Sequence, residues 1–176
     1  MKKAILSLFA LTTAWAVGAQ GVSIKTKDDG RFLYGNSIHF EAGGHGLVYS
    51  LNYERNIINT RHFKTSMQVG LSLYPGALDL VSNVWIPYSI NQLFSLNQHH
   101  IETGIGLVLT QSANGFAEGR GINKYFNTYY SAKIGYRYQK PNGRMTYKVL
   151  FTPLWEKIYN YTEFHPLGAF SIGYNF

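Results

Sequence analysis

The feature that most constrains this sequence is an alternation of apolar and polar residues with a period of two, which recurs from residue 34 to the last residue. In the final segment, Ala169–Phe176, every second side chain is large and apolar, and those between are small or polar. Successive side chains of a β-strand point to opposite faces. The sequence therefore predicts an all-β protein in which each strand has one apolar face and one polar face.

The alternation divides the chain into about eight segments whose lengths suit membrane-spanning strands, each of which needs about 9–11 residues. The fourth segment is the least regular, because Pro87 cannot donate a ladder hydrogen bond. The segments are Tyr34–Gly43, Gly46–Ile58, His62–Tyr74, Asn83–Phe94, His99–Gln111, Phe126–Gln139, Arg144–Glu156 and Phe164–Phe176.

The links between these segments alternate in length, as they do in outer-membrane barrels with short periplasmic turns and longer outer loops. Short links are predicted at Asn59–Arg61, Ser95–Gln98 and Lys140–Gly143, and longer ones at Pro75–Ser82, Ser112–Tyr125 and Lys157–Glu163. The first hairpin, Gly43–His45, is predicted to be a tight outer turn. This order predicts a closed, antiparallel, up-and-down transmembrane β-barrel with an even number of strands.

The first 19 residues are typical of a cleavable signal peptide for Sec export, which predicts export to the cell outer membrane. Lys2 and Lys3 precede the apolar stretch Ala4–Val17, and small residues up to Ala19 provide a cleavage site. Residues 20–33 are predicted to be a polar periplasmic lead, and residues 34–176 the barrel. The sequence has no cysteine, which excludes a lipoprotein anchor and a disulfide framework.

Composition favours a membrane barrel over a soluble, calycin-type barrel that would bury its apolar face. Charged residues are only 14% of the chain, against about 25% in soluble domains, whereas aromatic residues are 16%. The polar face is rich in Gly, Ser and Asn, which suit a narrow lumen. The net charge of +7 is spread along the chain without a basic stripe, so no nucleic-acid partner is expected.

If the apolar face meets lipid, seven charged residues are predicted to form a polar network in the lumen, which His39 and His165 would join. An eight-stranded barrel has an interior that side chains can fill, and unpaired buried charges are costly, so these charges should pair. A small-solute path and a binding cavity are the alternatives. The seven are Glu41, Glu54, Lys64, Glu102, Lys133, Arg137 and Lys148.

No catalytic, cofactor or metal site is predicted elsewhere, because each candidate pattern is incomplete. His99 and His100 are adjacent and would face opposite ways on a strand. Glu163 and His165 share one side of the last strand but lack a local serine partner. Aromatic residues near the strand ends are predicted to form two interfacial girdles. The outer girdle would contain Tyr74, Trp85, Phe126, Trp155 and Phe164; the inner one would contain Tyr53, Phe63, Tyr136, Tyr138, Tyr174 and Phe176.

Four stretches of the chain, Phe40–Arg55, Gly135–Gln139, Phe151–Leu154 and Gly173–Phe176, resemble small, mostly uncharacterised outer-membrane β-barrel proteins of the Bacteroidetes type. The similarity covers nearly the whole mature chain and is carried by structural motifs. In size the chain is also similar to the eight-stranded OmpA and OmpX class. The resemblance implies the fold and an outer-membrane location, and it transfers no catalytic residue to this sequence.

The function expected from these observations is a non-enzymatic envelope or surface-recognition component, acting through Ser112–Tyr125 and Pro75–Ser82. The alternatives are a lipid A-modifying barrel enzyme and a narrow small-solute channel. The expected partners are outer-membrane lipid and lipopolysaccharide, and the barrel-assembly machinery through the last strand, which ends in Phe176. A monomer is expected.

Overall fold

A computed structural model of the chain describes residues 30–75, 82–114, 123–158 and 161–176. The predicted signal peptide and most of the predicted lead lie outside these residues. Within the described part, the strands are β1 (Asn36–Gly43), β2 (Tyr49–Asn59), β3 (Phe63–Pro75), β4 (Ser82–Leu96), β5 (His99–Asn114), β6 (Asn123–Gln139), β7 (Met145–Phe151), β8 (Leu154–Ile158), β9 (Tyr161–His165) and β10 (Gly168–Asn175).

The strands form one closed antiparallel barrel. Neighbours in the chain pair from β1 to β6, and β1 also pairs with β10, with Ser37 opposite Asn175, which closes the sheet. The long strand β6 pairs with β7 along one part and with β8 along another, and β8 pairs with β9. Together, β7 and β8 thus form one barrel strand that is broken once, and β9 and β10 form another. The described residues therefore form the predicted closed barrel of eight strands.

Both breaks contain a proline, and they lie side by side. Pro153 follows β7, and Pro166 precedes β10. Proline has no N–H to donate to a ladder, which explains why the pairing stops there. The Thr152 N–H donates to the Leu167 carbonyl oxygen over 2.7 Å and connects the two broken strands at this level.

Several strands run further than the sequence alternation predicted. β5 continues to Asn114 and β6 begins at Asn123, so both ends of the predicted link Ser112–Tyr125 are strand. The predicted longer link at Lys157–Glu163 is wrong, because β8 and β9 pair up to Ile158 and Tyr161. The remaining parts of the predicted outer links, at 76–81 and 115–122, lie outside the described residues.

The polar side chains point into the barrel and the large apolar ones point out, as the alternation predicted. Along β10, for example, the side chains of every second residue from Ala169 are buried and those between are exposed. The outward face carries exposed large apolar side chains on all eight barrel strands; they include Phe40, Leu51, Met67, Ile90, Ile105, Ile134, Val149, Phe164 and Ile172. The polar faces together therefore form the interior.

Two local irregularities shape the interior. The side chain of Pro87 points inward. Beside it, the β3–β4 pairing is interrupted between Val69 and Ser72, and the register is the same before and after this gap. In β2 the register with β3 shifts between Asn56 and Ile58, which is a β-bulge with one extra residue.

The first hairpin is a short 3-10 turn, Gly44–Gly46, whose residues are all buried. Gly43 and Gly44 have φ angles of 78° and 67°, a backbone conformation that glycine adopts without steric cost. The predicted tight turn is present, but it packs into one end of the barrel. In the described part of the chain, no helix is long and apolar enough to cross a membrane.

Candidate functional site

A cluster of four charged side chains occupies the centre of the lumen. Arg137 Nη1 lies 2.7 Å from Glu54 Oε1 and 3.4 Å from Glu102 Oε2. Lys148 Nζ lies 2.6 Å from Glu54 Oε2 and 3.4 Å from Glu102 Oε2. All four residues are buried, and their formal charges sum to zero. We call these four residues the ion cluster.

The ion cluster spans the width of the barrel because its members come from strands on different sides. Arg137 and Lys148 are direct cross-strand neighbours on β6 and β7, and Glu102 lies on β5, the other neighbour of β6. Glu54 lies on β2, which is four strands from β6 in either direction around the barrel. The Arg137–Glu54 pair therefore crosses the lumen and connects opposite walls.

Glu54 contacts four polar side chains. Besides the two cations, its carboxylate accepts a 2.5 Å hydrogen bond from the Ser66 hydroxyl and lies 3.0 Å from His39 Nε2. Buried charges are tolerated when pairing and hydrogen bonds satisfy them together, which is the situation of this carboxylate.

The other three predicted network residues are also buried but lie outside the ion cluster. Lys64 Nζ donates to the Ser95 hydroxyl over 2.8 Å and to the Arg61 carbonyl over 3.2 Å. Lys133 Nζ donates to Gln68 Oε1 over 3.0 Å. Glu41 Oε1 has no hydrogen-bond partner among the described residues. The structure thus brings four of the seven residues together and distributes the other three along the lumen.

An apolar cluster fills the lumen at the end of the barrel that contains the 3-10 turn. Trp85, Val108 and Leu154 are buried there, with Leu47, Tyr129 and Leu167 packed against them. The Trp85 and Tyr129 rings stack with centroids 5.2 Å apart. The prediction that Trp85 belongs to an outer girdle is wrong, because its ring points inward. The alternation around Pro87 would have revealed this, because Trp85 and Pro87 are two residues apart and lie on the same, inward face of β4.

The 3-10 turn adds polar contacts at this end of the barrel. His45 Nε2 lies 3.3 Å from the Ala132 carbonyl oxygen, and the Ser72 hydroxyl donates to the Gly46 carbonyl over 3.1 Å. His45 is almost fully buried. No signal in the sequence predicts this inward packing, because a Gly-Gly-His turn is equally compatible with an exposed position.

Phe32 fills the opposite end, where the short turns lie. Its side chain is only 4% exposed, and its ring makes an edge-on contact with the His100 ring at a centroid distance of 5.1 Å. We call this the short-turn end. Phe32 falls within the segment predicted to be a polar lead, and no pattern in the sequence predicts its burial.

The adjacent histidines His99 and His100 lie where the strand pattern put them. His100 is buried and bonded to Ser95 and to the Gln139 carbonyl, whereas His99 is exposed and contacts the Tyr136 hydroxyl over 2.5 Å. The pair therefore faces opposite sides of β5.

His165 does not join the ion cluster and lies at the rim of the barrel, 3.7 Å from Glu163. Glu156, directly opposite Glu163 across the β8–β9 pair, completes a group whose ligand atoms all lie within 4.8 Å of one another. The Asn127 amide donates to Glu156 over 3.2 Å. Glu156 was not singled out from the sequence.

Aromatic side chains on the outward face collect near the short-turn end, where the inner girdle was predicted. Phe63, Tyr136 and Tyr174 are exposed there. Arg144, in the turn before β7, donates to the Tyr174 hydroxyl and lies 5.3 Å from the Tyr34 ring centroid. Hydrogen bonds to both tyrosine hydroxyls raise the pKa of Arg144 above its usual value.

These features define a class of protein: a small, closed, eight-stranded antiparallel β-barrel with an apolar outside and a filled polar interior. No known family model matches the chain, and no curated protein is similar to it in sequence. Among solved structures, the chain is similar to the N-terminal β-barrel domain of Pseudomonas aeruginosa OprF, with a TM-score of 0.53 and 10% identity over 80% of this chain and 95% of that one.

A second similar structure is Ail, the attachment invasion locus protein of Yersinia pestis, solved in complex with the heparin analogue sucrose octasulfate. It has a TM-score of 0.48 and 12% identity over 81% of this chain and 94% of that one. At the level of fold, the OprF match agrees with the predicted likeness to OmpA-type barrels. The resemblance to Bacteroidetes-type proteins stays a prediction.

Proposed function

We propose that this chain is an outer-membrane β-barrel that acts as a non-enzymatic envelope or surface-recognition component and forms no open channel. The observation that carries the proposal is the combination of an apolar outer wall with a filled interior. The large outward side chains are exposed on every barrel strand, including Ile105, which is 72% exposed. A surface of this kind is stable when lipid covers it.

The filled interior argues against conduction. The ion cluster connects opposite walls of the barrel, the apolar cluster around Trp85 lies on one side of it, and Phe32 lies on the other. An eight-stranded barrel leaves an interior only wide enough for side chains. The proposed role therefore belongs to the outer surface and the outer links, as predicted for Ser112–Tyr125 and Pro75–Ser82.

The proposal includes the predicted route and partners. The signal peptide at residues 1–19 would direct Sec export, and the last strand, ending in Phe176, would bind the barrel-assembly machinery. Lipopolysaccharide and phospholipid would cover the outward face of a monomer. In this orientation the short-turn end faces the periplasm.

Planar-bilayer recording of the refolded mature chain tests the filled lumen. The expected result is no discrete conductance for the unmodified chain. Discrete openings in the unmodified chain would contradict the proposal and favour the channel alternative.

A lipid A-modifying enzyme is the second candidate, and the group of Glu156, Glu163 and His165 at the rim is the observation that favours it. This candidate requires that deletion of the gene changes the mass of lipid A, and that the Glu163→Gln or His165→Ala variant fails to restore it. An unchanged lipid A mass after deletion would rule out the enzyme and support the non-enzymatic role.

A further inference from the structure

We infer that the segment Gly30–Leu33 is a removable seal at the short-turn end of the lumen, with Phe32 as its plug. This inference rests on the proposed filled lumen and adds a device that controls access to it. Phe32 lies over two cations: Lys64 Nζ is 4.6 Å from its ring centroid, and Arg137 Cζ is 5.7 Å from it. Because Arg137 belongs to the ion cluster, the ring separates that cluster from the water outside.

The Asn59 side chain holds the seal in place. The Phe32 N–H donates to Asn59 Oδ1 over 3.0 Å, and Asn59 Nδ2 donates to the Phe32 carbonyl over 2.8 Å. One amide side chain thus satisfies both backbone groups of Phe32. A further hydrogen bond joins the Leu33 N–H to the Pro141 carbonyl over 2.8 Å.

The β-bulge in β2 is what allows Asn59 to reach Phe32. Asn52 and Glu54 point into the barrel. Because inward positions recur every two residues, residue 58 would point inward and residue 59 outward if there were no bulge. The extra residue between Asn56 and Ile58 reverses this phase, so Asn59 lies opposite the inward-facing Lys64. Bulges often re-aim a side chain in this way. The strand is therefore built to present an amide to the segment.

The segment can leave without opening the barrel. The barrel is closed by the β1–β10 pair, whose register begins at Ser37 and Asn175, beyond the segment. Within the described residues, Gly30–Leu33 forms no strand pairing; its attachments include the three hydrogen bonds above and the contacts of the Phe32 ring. Segments outside the strand ladders open at a lower free-energy cost than the whole fold.

The test is a thiol-accessibility measurement, for which the absence of cysteine from the sequence provides a clean background. The reporter is Ser95→Cys, a buried lumen position whose hydroxyl contacts both Lys64 and His100 beneath Phe32. The full mature chain is refolded in detergent micelles, and its reaction with a small water-soluble methanethiosulfonate is timed.

The thiol at position 95 is expected to react slowly in the otherwise unmodified chain. Its reaction should be at least about tenfold faster when Phe32→Ala or Asn59→Ala is also present. A tenfold change in an opening equilibrium corresponds to about 1.4 kcal/mol. Leu33→Ala is the matched control, because it keeps the backbone hydrogen bond and should leave the rate unchanged. Because Phe32→Ala and Asn59→Ala are measured separately, the test stays valid if one of these variants fails to fold.

A second reporter, Ser72→Cys, lies at the opposite end beside the 3-10 turn and should stay slow in every background. Equal reaction rates at Ser95→Cys with and without Phe32→Ala or Asn59→Ala would overturn the inference. So would equal acceleration at both reporters, which would mean that the whole barrel loosens. Conductance of the unmodified chain would contradict the proposed function without bearing on these rates.

Discussion

The ion cluster makes a quantitative prediction for the variant Glu54→Gln. Glu54 pairs with Arg137 over 2.7 Å and with Lys148 over 2.6 Å, and all three side chains are buried. The substitution keeps the shape of the side chain but leaves the cluster with one uncompensated positive charge. Removing one partner of a buried ion pair costs about 3–5 kcal/mol. Since domains are stable by about 5–15 kcal/mol, this is a large fraction of the total.

The assay is urea unfolding of the mature chain refolded into lipid vesicles, followed by tryptophan fluorescence. Glu163→Gln is the matched control, because Glu163 is exposed at the rim, where ion pairs contribute about 0–1 kcal/mol. The double variant Glu54→Gln/Lys148→Met restores the charge balance of the cluster. We expect it to be more stable than Glu54→Gln alone by at least about 1 kcal/mol.

The reasoning would be refuted if Glu54→Gln cost no more than the rim control. It would also be refuted if removing Lys148 in addition made the barrel less stable still, since the residual positive charge could not then be the cause of the loss.

Two packing predictions follow from the interior. Gly173→Ala should destabilise the barrel by about 1–3 kcal/mol, because a Cβ there would collide with the His39 ring, whereas Gly168→Ala meets open space and should be nearly neutral. Urea unfolding of both variants checks this, and equal losses would contradict it. Trp85→Ala should cost about 3–5 kcal/mol by emptying the apolar cluster, and the loss should exceed that of Trp155→Ala, whose ring contacts Phe164 on the outward face. A larger loss at Trp155 would place the important packing outside the lumen.

The sequence predicted the strands and their faces because every strand obeys one simple physical rule. One face must be apolar and the other polar, so a period of two was readable even where a single segment was weak. The inward positions of Glu54, Glu102, Arg137 and Lys148 followed directly from that rule. The rule does not predict which of the seven charged residues pair with each other. Partners come from opposite walls, and their contact depends on the register around the whole barrel.

The features that the sequence did not reveal are those that interrupt the rule. The bulge in β2 reverses the phase at Asn59, and nothing in the local composition marks it. Trp85 is the exception: it obeys the alternation, and its assignment to a girdle from its position near a strand end overlooked the face that it shares with Pro87. Phe32 lies in a polar stretch, and its burial depends on contacts with residues 27 or more positions away.

The central claim is that lipid covers the outward face, and one pair of substitutions tests it most directly. Ile105 and Leu96 are equally exposed, at 72% and 73%, but Ile105 lies midway along β5 and Leu96 lies at the short-turn end. A lysine on the lipid face costs about 2–4 kcal/mol at the membrane midplane and about 0–1 kcal/mol near the interface. Unfolding of Ile105→Lys and Leu96→Lys from lipid vesicles should therefore show a large loss for the first and a small loss for the second. Equal, small losses for both would contradict the account, because they would mean that water already covers this face.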